Sequence, residues 1–160
     1  MYTQKMLKEL YSSIANSNLK RVKKIIDKNP EILHVETPNG SWLHVASSRN
    51  NIEIVEYLVN SGIDINKKGG VSNEMPINLA ASEGNIELVK YYIKKGAIFD
   101  ESESYSNPLF SAIHNGHLEI VKLLIENGIN VNIKYRDLTA ISFGERLERK
   151  EIVDYLKKIK

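Results

Sequence analysis

Apolar side chains between residues 107 and 132 recur every three or four positions. Leu109, Ala112 and Ile113 fall on one helical face, and Leu118, Val121, Leu124 and Ile125 on another. Spacing of this kind predicts two short amphipathic helices, each with one buried stripe. Asn107 is a helix-capping residue type and Pro108 suits the first helical position. Gly116 and Gly128 can take the left-handed conformation that ends a helix. The apolar pattern therefore predicts a helix–turn–helix unit.

The unit repeats. "GHLEIVKLLIENGINVN" (116–132) is matched by "NNIEIVEYLVNSGIDIN" (50–66) and "GNIELVKYYIKKGAIFD" (84–100), and more weakly by "SNLKRVKKIIDKNPEIL" (17–33) and "ERKEIVDYLKKIK" (148–160). Upstream of each lies a second block: "ELYSSIA", "SWLHVAS", "MPINLAA", "NPLFSAI" and "TAISFGE". Corresponding positions such as Asn18, Asn51, Asn85, His117 and Arg149 are offset by 33, 34, 32 and 32 residues. A fixed period of this length marks stacked supersecondary units that share one core, because a single helix pair buries too little apolar surface to stand alone. In the upstream blocks Ser13, Ala46, Ala80, Ala112 and Gly144 align, and all are small. Such residues let the paired helices approach closely.

Residues 41–132, in three consecutive copies, are similar to the ankyrin-repeat family, whose pattern runs T-P-L-H-x-A, then a Gly-His-Leu-Glu-Ile-Val-like helix and a Gly-Ala-Asp-x-Asn-like ending. The resemblance implies an all-α solenoid of about five helix–turn–helix units with short β-turn fingers. The units would run approximately 1–35, 36–69, 70–101, 102–133 and 134–160, the first and last as caps. His44 stands at the histidine of the motif, so the resemblance implies that its side chain bonds backbone atoms of the adjacent turn. Asn78 could do the same. Phe110 and Ser142 depart from the pattern, and the turns beside them would be held by packing.

Composition narrows the function classes. Net charge is +2, with basic ends and a mildly acidic centre, which argues against nucleic-acid binding through bulk charge. There is no cysteine, hence no disulfide, thiolate metal site or cysteine nucleophile. No secretory leader or membrane-length apolar run is present, so the expected location is the cytoplasm.

His114 and His117 lie three apart and would share a helix face. With no third ligand at helical spacing they fall short of a zinc site. His117 aligns with Asn18, Asn51 and Asn85, which points to local backbone capping at a helix start. Trp42, the sole tryptophan, could anchor a partner or pack in the stack; packing is the favoured reading. "DESESY" (100–105) lacks the glycine of a calcium loop and reads as a solvated finger. "KKGGVSN" (67–73) lacks phosphate-loop spacing, and the terminal "LKKIK" reads as a solvated cap face. No catalytic residue, metal or cofactor is expected.

What remains is a binding module. The resemblance implies a concave protein-binding surface made of fingers and first helices. Positions matching the family's variable ones are Thr37, Ser48, Arg49, Val71, Ser72, Glu74, Ser82, Glu83, Glu103, Ser104, Ser106, His114, Asn115, Tyr135, Arg136 and Arg146, with Pro38 beside them. Glu74, Glu83 and Glu103 make the middle of this series acidic, so the expected partner is a protein with a basic patch. A compact chain of this kind resembles immunity proteins that block a cognate toxin, a nuclease being the candidate. The alternative is an adaptor or host-directed effector engaging a regulatory protein. A monomer is expected when unbound, with no membrane or direct nucleic-acid contact.

Overall fold

A computed structural model describes residues 2–100 and 107–159. Its described residues contain ten α-helices and one 3₁₀ turn, Pro30–His34. The helices are α1 (Gln4–Ala15), α2 (Leu19–Lys28), α3 (Trp42–Ser47), α4 (Ile52–Asn60), α5 (Pro76–Ser82), α6 (Ile86–Lys94), α7 (Pro108–Asn115), α8 (Leu118–Glu126), α9 (Ala140–Arg146) and α10 (Lys150–Lys158). The expected all-α repeat architecture is borne out. The chain divides into two compact units, Met1–Pro76 and Ile77–Lys160.

Local chemistry explains where the helices start and stop. The side chains of Asn18, Asn51 and Asn85 accept from the backbone N–H groups of Arg21, Ile54 and Leu88 at 3.0, 3.3 and 3.1 Å. Each satisfies a donor that the first helical turn leaves unpaired. Gly84 and Gly116, which end α5 and α7, have φ of 76° and 80°. Asn50 holds the equivalent place at φ 55°, but so do Ser17 and Glu148, at 56° and 57°. Side chains other than glycine or asparagine adopt this conformation at a cost of about 1–2 kcal/mol, so the array imposes the turn even where the residue type opposes it.

In the first unit α1 packs on α2 and α3 on α4. Leu10, Ile14, Val22, Ile26, Leu43, Ile54 and Leu58 form the interior. Trp42 is also buried, 1% exposed, and its indole Nε1 donates to the Ile32 carbonyl at 2.7 Å. It is a packing residue, as favoured above. In the second unit α7 packs on α8 and α9 on α10, around Leu88, Tyr92, Leu109, Ile113, Ile120, Leu124 and Leu156.

The small positions behave as their alignment requires. Ala46, Ala80 and Ala112 are fully buried, and a Cβ placed on Gly144 would lie 2.9 Å from Val153 Cγ2. Ala112→Leu is expected to overcrowd the packing of α7 and cost about 1–3 kcal/mol, measured as a lowered urea midpoint by circular dichroism. An unchanged midpoint would mean that the helices are free to part.

Candidate protein-binding surface

Three of the expected fingers lie within the described residues, each closed by an isolated backbone bridge: Thr37 with Gly40, Gly69 with Glu74, and Tyr135 with Leu138. The fourth, with Glu103, Ser104, Ser106 and the "DESESY" segment after Asp100, falls outside them.

In the first unit two fingers meet at their glycines. A Cβ on Gly40 would sit 2.8 Å from His44 Cγ and 2.9 Å from the Gly70 nitrogen, so side chains larger than hydrogen cannot occupy that crossing. His44 lies beneath it, 1% exposed. Its Nε2 faces the Glu74 carbonyl at 2.8 Å, and a carbonyl only accepts, so the proton is on Nε2. Its Nδ1 therefore carries the lone pair, which accepts from the Ser41 backbone N–H at 3.1 Å with Ser41 Oγ at 2.8 Å. One imidazole thus ties the start of α3 to the base of the 69–74 finger. Burial lowers its pKa, partly opposed by the bond to Glu74.

The finger it holds carries three of the residues singled out above. Val71 is 97% exposed, Ser72 is exposed, and Glu74 is half-buried. Burial raises the pKa of Glu74, and no other cause contributes. Lys67, in the same segment, is instead paired with Glu36. Thr37 is half-buried and donates through Oγ1 to the Gly40 carbonyl at 2.8 Å; Ser48 and Arg49, at the end of α3, are exposed.

In the second unit Ser82 is half-buried, and Glu83, His114, Asn115, Arg136 and Arg146 are exposed. Arg136 and Asp137 take φ of 47° and 65°, which makes the Tyr135–Leu138 finger a tight two-residue turn of the primed kind. Aromatic packing holds it. The Tyr135 ring lies 5.5 Å from Phe110 and 5.0 Å from Phe143, centroid to centroid, and the two phenylalanines meet edge-on at 5.3 Å. The expectation that packing replaces the motif histidine beside Phe110 is therefore met. Ser142 instead shares hydroxyl and backbone bonds with Thr139, which caps α9.

Around this cluster lies a notch of about 160 Å³, lined by Ser82, Phe110, His114, Asn115, Tyr135 and Phe143. His114 stacks over Phe143 with centroids 6.4 Å apart. Asn115 donates to Ser82 Oγ and to the Ser111 carbonyl, both at 3.1 Å. Phe143 had no place among the sequence-derived positions. It reads as one more apolar residue on a helix, and only the fold brings its ring beside His114.

One expectation needs correction. His117 occupies the cap position of α8, yet its side chain makes no cap bond there. Nε2 reaches back to the Ser82 carbonyl at 2.9 Å instead, and the ring fills the space over Gly84, where a Cβ would come within 2.6 Å. The imidazole is longer than an asparagine amide, so it passes over its own helix start to the preceding helix. Arg149, one period later, does likewise: Nε and Nη2 donate to the His114 carbonyl at 3.1 and 2.5 Å.

No group of three or more His, Asp or Glu side chains able to hold a metal ion occurs among the described residues, and none of their helices is long and apolar enough to cross a membrane. The arrangement is that of a helical-repeat protein with short turn fingers. The chain belongs to the ankyrin-repeat family: the family model for ankyrin repeats (3 copies) matches residues 43–135 and 77–159. Members of that family are generally protein–protein interaction modules and generally non-catalytic. The chain is also 32% identical over 114 residues to alpha-latrocrustotoxin-Lt1a of Latrodectus tredecimguttatus, a match covering 71% of this chain and 8% of the toxin. It thus spans only a small part of that relative's length.

Proposed function

We propose that this protein binds and occludes a partner protein through its fingers and first helices, as a toxin-neutralising immunity protein would, and that the partner presents a basic patch to the acidic positions. The observation that carries this reading is Glu74. Its carboxylate is half-buried, desolvation raises its pKa, and no hydrogen bond or ion pair reaches it from the described residues. A carboxylate in that condition gains from an arriving cation, because the attraction is less screened than in open water and part of the desolvation has already occurred. Exposed Glu83, on the other unit, would add long-range steering.

In this reading a basic protein such as a nuclease is the candidate partner, the setting is the cytoplasm, and the unbound chain is a monomer that performs no reaction. Affinity purification from native lysate is the test, with Glu74→Lys and Glu83→Lys as the comparison. The double reversal is expected to weaken capture at least about tenfold, the equivalent of 1.4 kcal/mol. Equal recovery by both forms would move the interface elsewhere. A captured partner without a basic face would remove the electrostatic argument.

A further inference from the structure

At one core position the last copy departs from the four before it. Leu10, Leu43, Ile77 and Leu109 are equivalent under the repeat and 0% exposed, whereas Ile141, one period further, is only half-buried. In the second unit α9 lies against α7 and α10 against α8, and Leu109 and Leu124 are wholly buried there. Among the described residues no further helix pair lies against α9 and α10 to cover Ile141 in the same way.

The uncovered flank holds a groove of about 230 Å³ between the segment 131–134, the start of α9 and the end of α10. Val131, Ala140, Ile141, Leu156 and Ile159 make it mainly apolar, and Ile159 is 44% exposed. Its volume is below the roughly 300–1,000 Å³ of small-molecule pockets, so it fits one or two side chains of a larger partner. Lys134 is the only charged residue in the lining, and it is in no ion pair among the described residues. Other charges nearby are offset. Lys157 is bonded to Glu145 at 2.7 Å, Lys158 stands one turn from Asp154 on α10, and Arg136 is followed by Asp137. Lys134 therefore sets the sign at the groove.

The array itself indicates what shape closes such a flank. In each earlier copy the equivalent position is buried within stacked helices. A second copy of this chain is poorly suited to the place. Tyr57 Oη donates to Asp27 at 2.9 Å, so that position on α4 looks back to the preceding helix. Its equivalent on α2 is Lys24, in line with Lys20 and Lys28 at four-residue spacing, and all three are exposed. Stacking that face on the groove would bring lysines toward Lys134. The fitting occupant is a helix of the opposite sign.

We propose that the groove docks an amphipathic helix of another protein, with apolar side chains over Ile141 and Ile159 and an Asp or Glu beside Lys134. This contact lies outside the fingers and does not depend on the reading given to Glu74.

The test uses the whole protein and two capped helical peptides of about 16 residues, each alanine-rich with leucines at i, i+3 and i+7. One carries glutamate at its polar positions, the other lysine. Amide resonances of residues 131–134, 139–141 and 156–159 are followed by ¹⁵N–¹H NMR. Saturable shifts are expected with the glutamate peptide, at an affinity about two- to fivefold above its lysine twin, the worth of an exposed charge pair. Lys134→Glu, a surface change, should reverse that order. Ile159→Ser should weaken both peptides about threefold or more, through lost apolar contact, and leave the rest of the spectrum unchanged. Equal affinities, no shift in these segments, or indifference to Lys134→Glu would overturn the proposal. So would the same shifts on concentrating the protein alone, which would assign the groove to a second copy. Either result leaves the lysate experiment at Glu74 unaffected.

Discussion

Trp42→Ala is expected to be among the most damaging single substitutions in the first unit, at about 3–5 kcal/mol. Two effects combine. The indole is almost wholly buried, so its removal leaves a large void between α3 and the 3₁₀ turn that supplies Ile32. Its Nε1–H also satisfies the Ile32 carbonyl, itself on a fully buried residue. Trp42→Phe separates them: most of the apolar area stays, but the carbonyl keeps only the Val35 N–H at 3.2 Å and loses the indole bond, for about 0.5–1.5 kcal/mol. Urea unfolding followed by circular dichroism is the suitable measurement, since either change removes the only tryptophan fluorophore. A loss below about 1 kcal/mol for the alanine variant would show that the neighbours close over the gap.

The second large effect is expected at His44, where replacement by alanine should cost about 1–3 kcal/mol by leaving the Ser41 N–H without a partner and by removing one of the two donors to the Glu74 carbonyl, which keeps the Gly69 N–H at 3.0 Å. His44 also makes stability depend on pH. Its folded-state pKa lies below the ordinary value, chiefly through burial, so the unfolded chain takes up the proton first. The stabilising contribution is therefore complete above the unfolded value of about 6.5. It is lost as pH falls through the folded-state value, with a slope of at most about 1.4 kcal/mol per pH unit for one proton. Glu74 acts in the opposite sense. Its raised pKa gives a contribution present below the usual carboxylate value and lost as pH rises through the folded one. A Glu74→Gln background removes that opposing slope. His44→Asn in this background should flatten the remaining profile near pH 6, because asparagine, which Asn78 supplies at the equivalent position, bonds without titrating. Persistence of the slope in the double variant would assign it to another group.

Much of the fold was legible because its determinants are local and repeated. Asparagine caps recur in three copies, glycines at left-handed turns in the three central ones and the three-to-four-residue apolar period in each, so one copy corrects the reading of another. The small-residue alignment, from Ser13 to Gly144, was legible for the same reason. Ser17 and Glu148 were not legible as left-handed residues, since nothing in a serine or glutamate announces that conformation. The surface positions follow from alignment with a family pattern, and their exposure depends on details that alignment omits. Glu74 was read as one of three equivalent acids, yet the fold half-buries it and leaves Glu83 in solvent. Phe143 and Phe110 carry no surface signature, because both are buried and read as core residues although they border a shallow notch. The reach of His117 was misread because alignment compares positions, while the bond it makes depends on side-chain length.

That reach has a consequence for how such an array changes its length. His117 and Arg149 each place their donor on a carbonyl belonging to the unit before, Ser82 in one case and His114 in the other. A cut between adjoining copies therefore separates donor from acceptor. Were a gene to lose the 32 codons 117–148, Arg149 would inherit the task of His117, with a bulkier head over Gly84. The array is modular in sequence but keyed at its seams, and copies can be exchanged freely only where the keys agree.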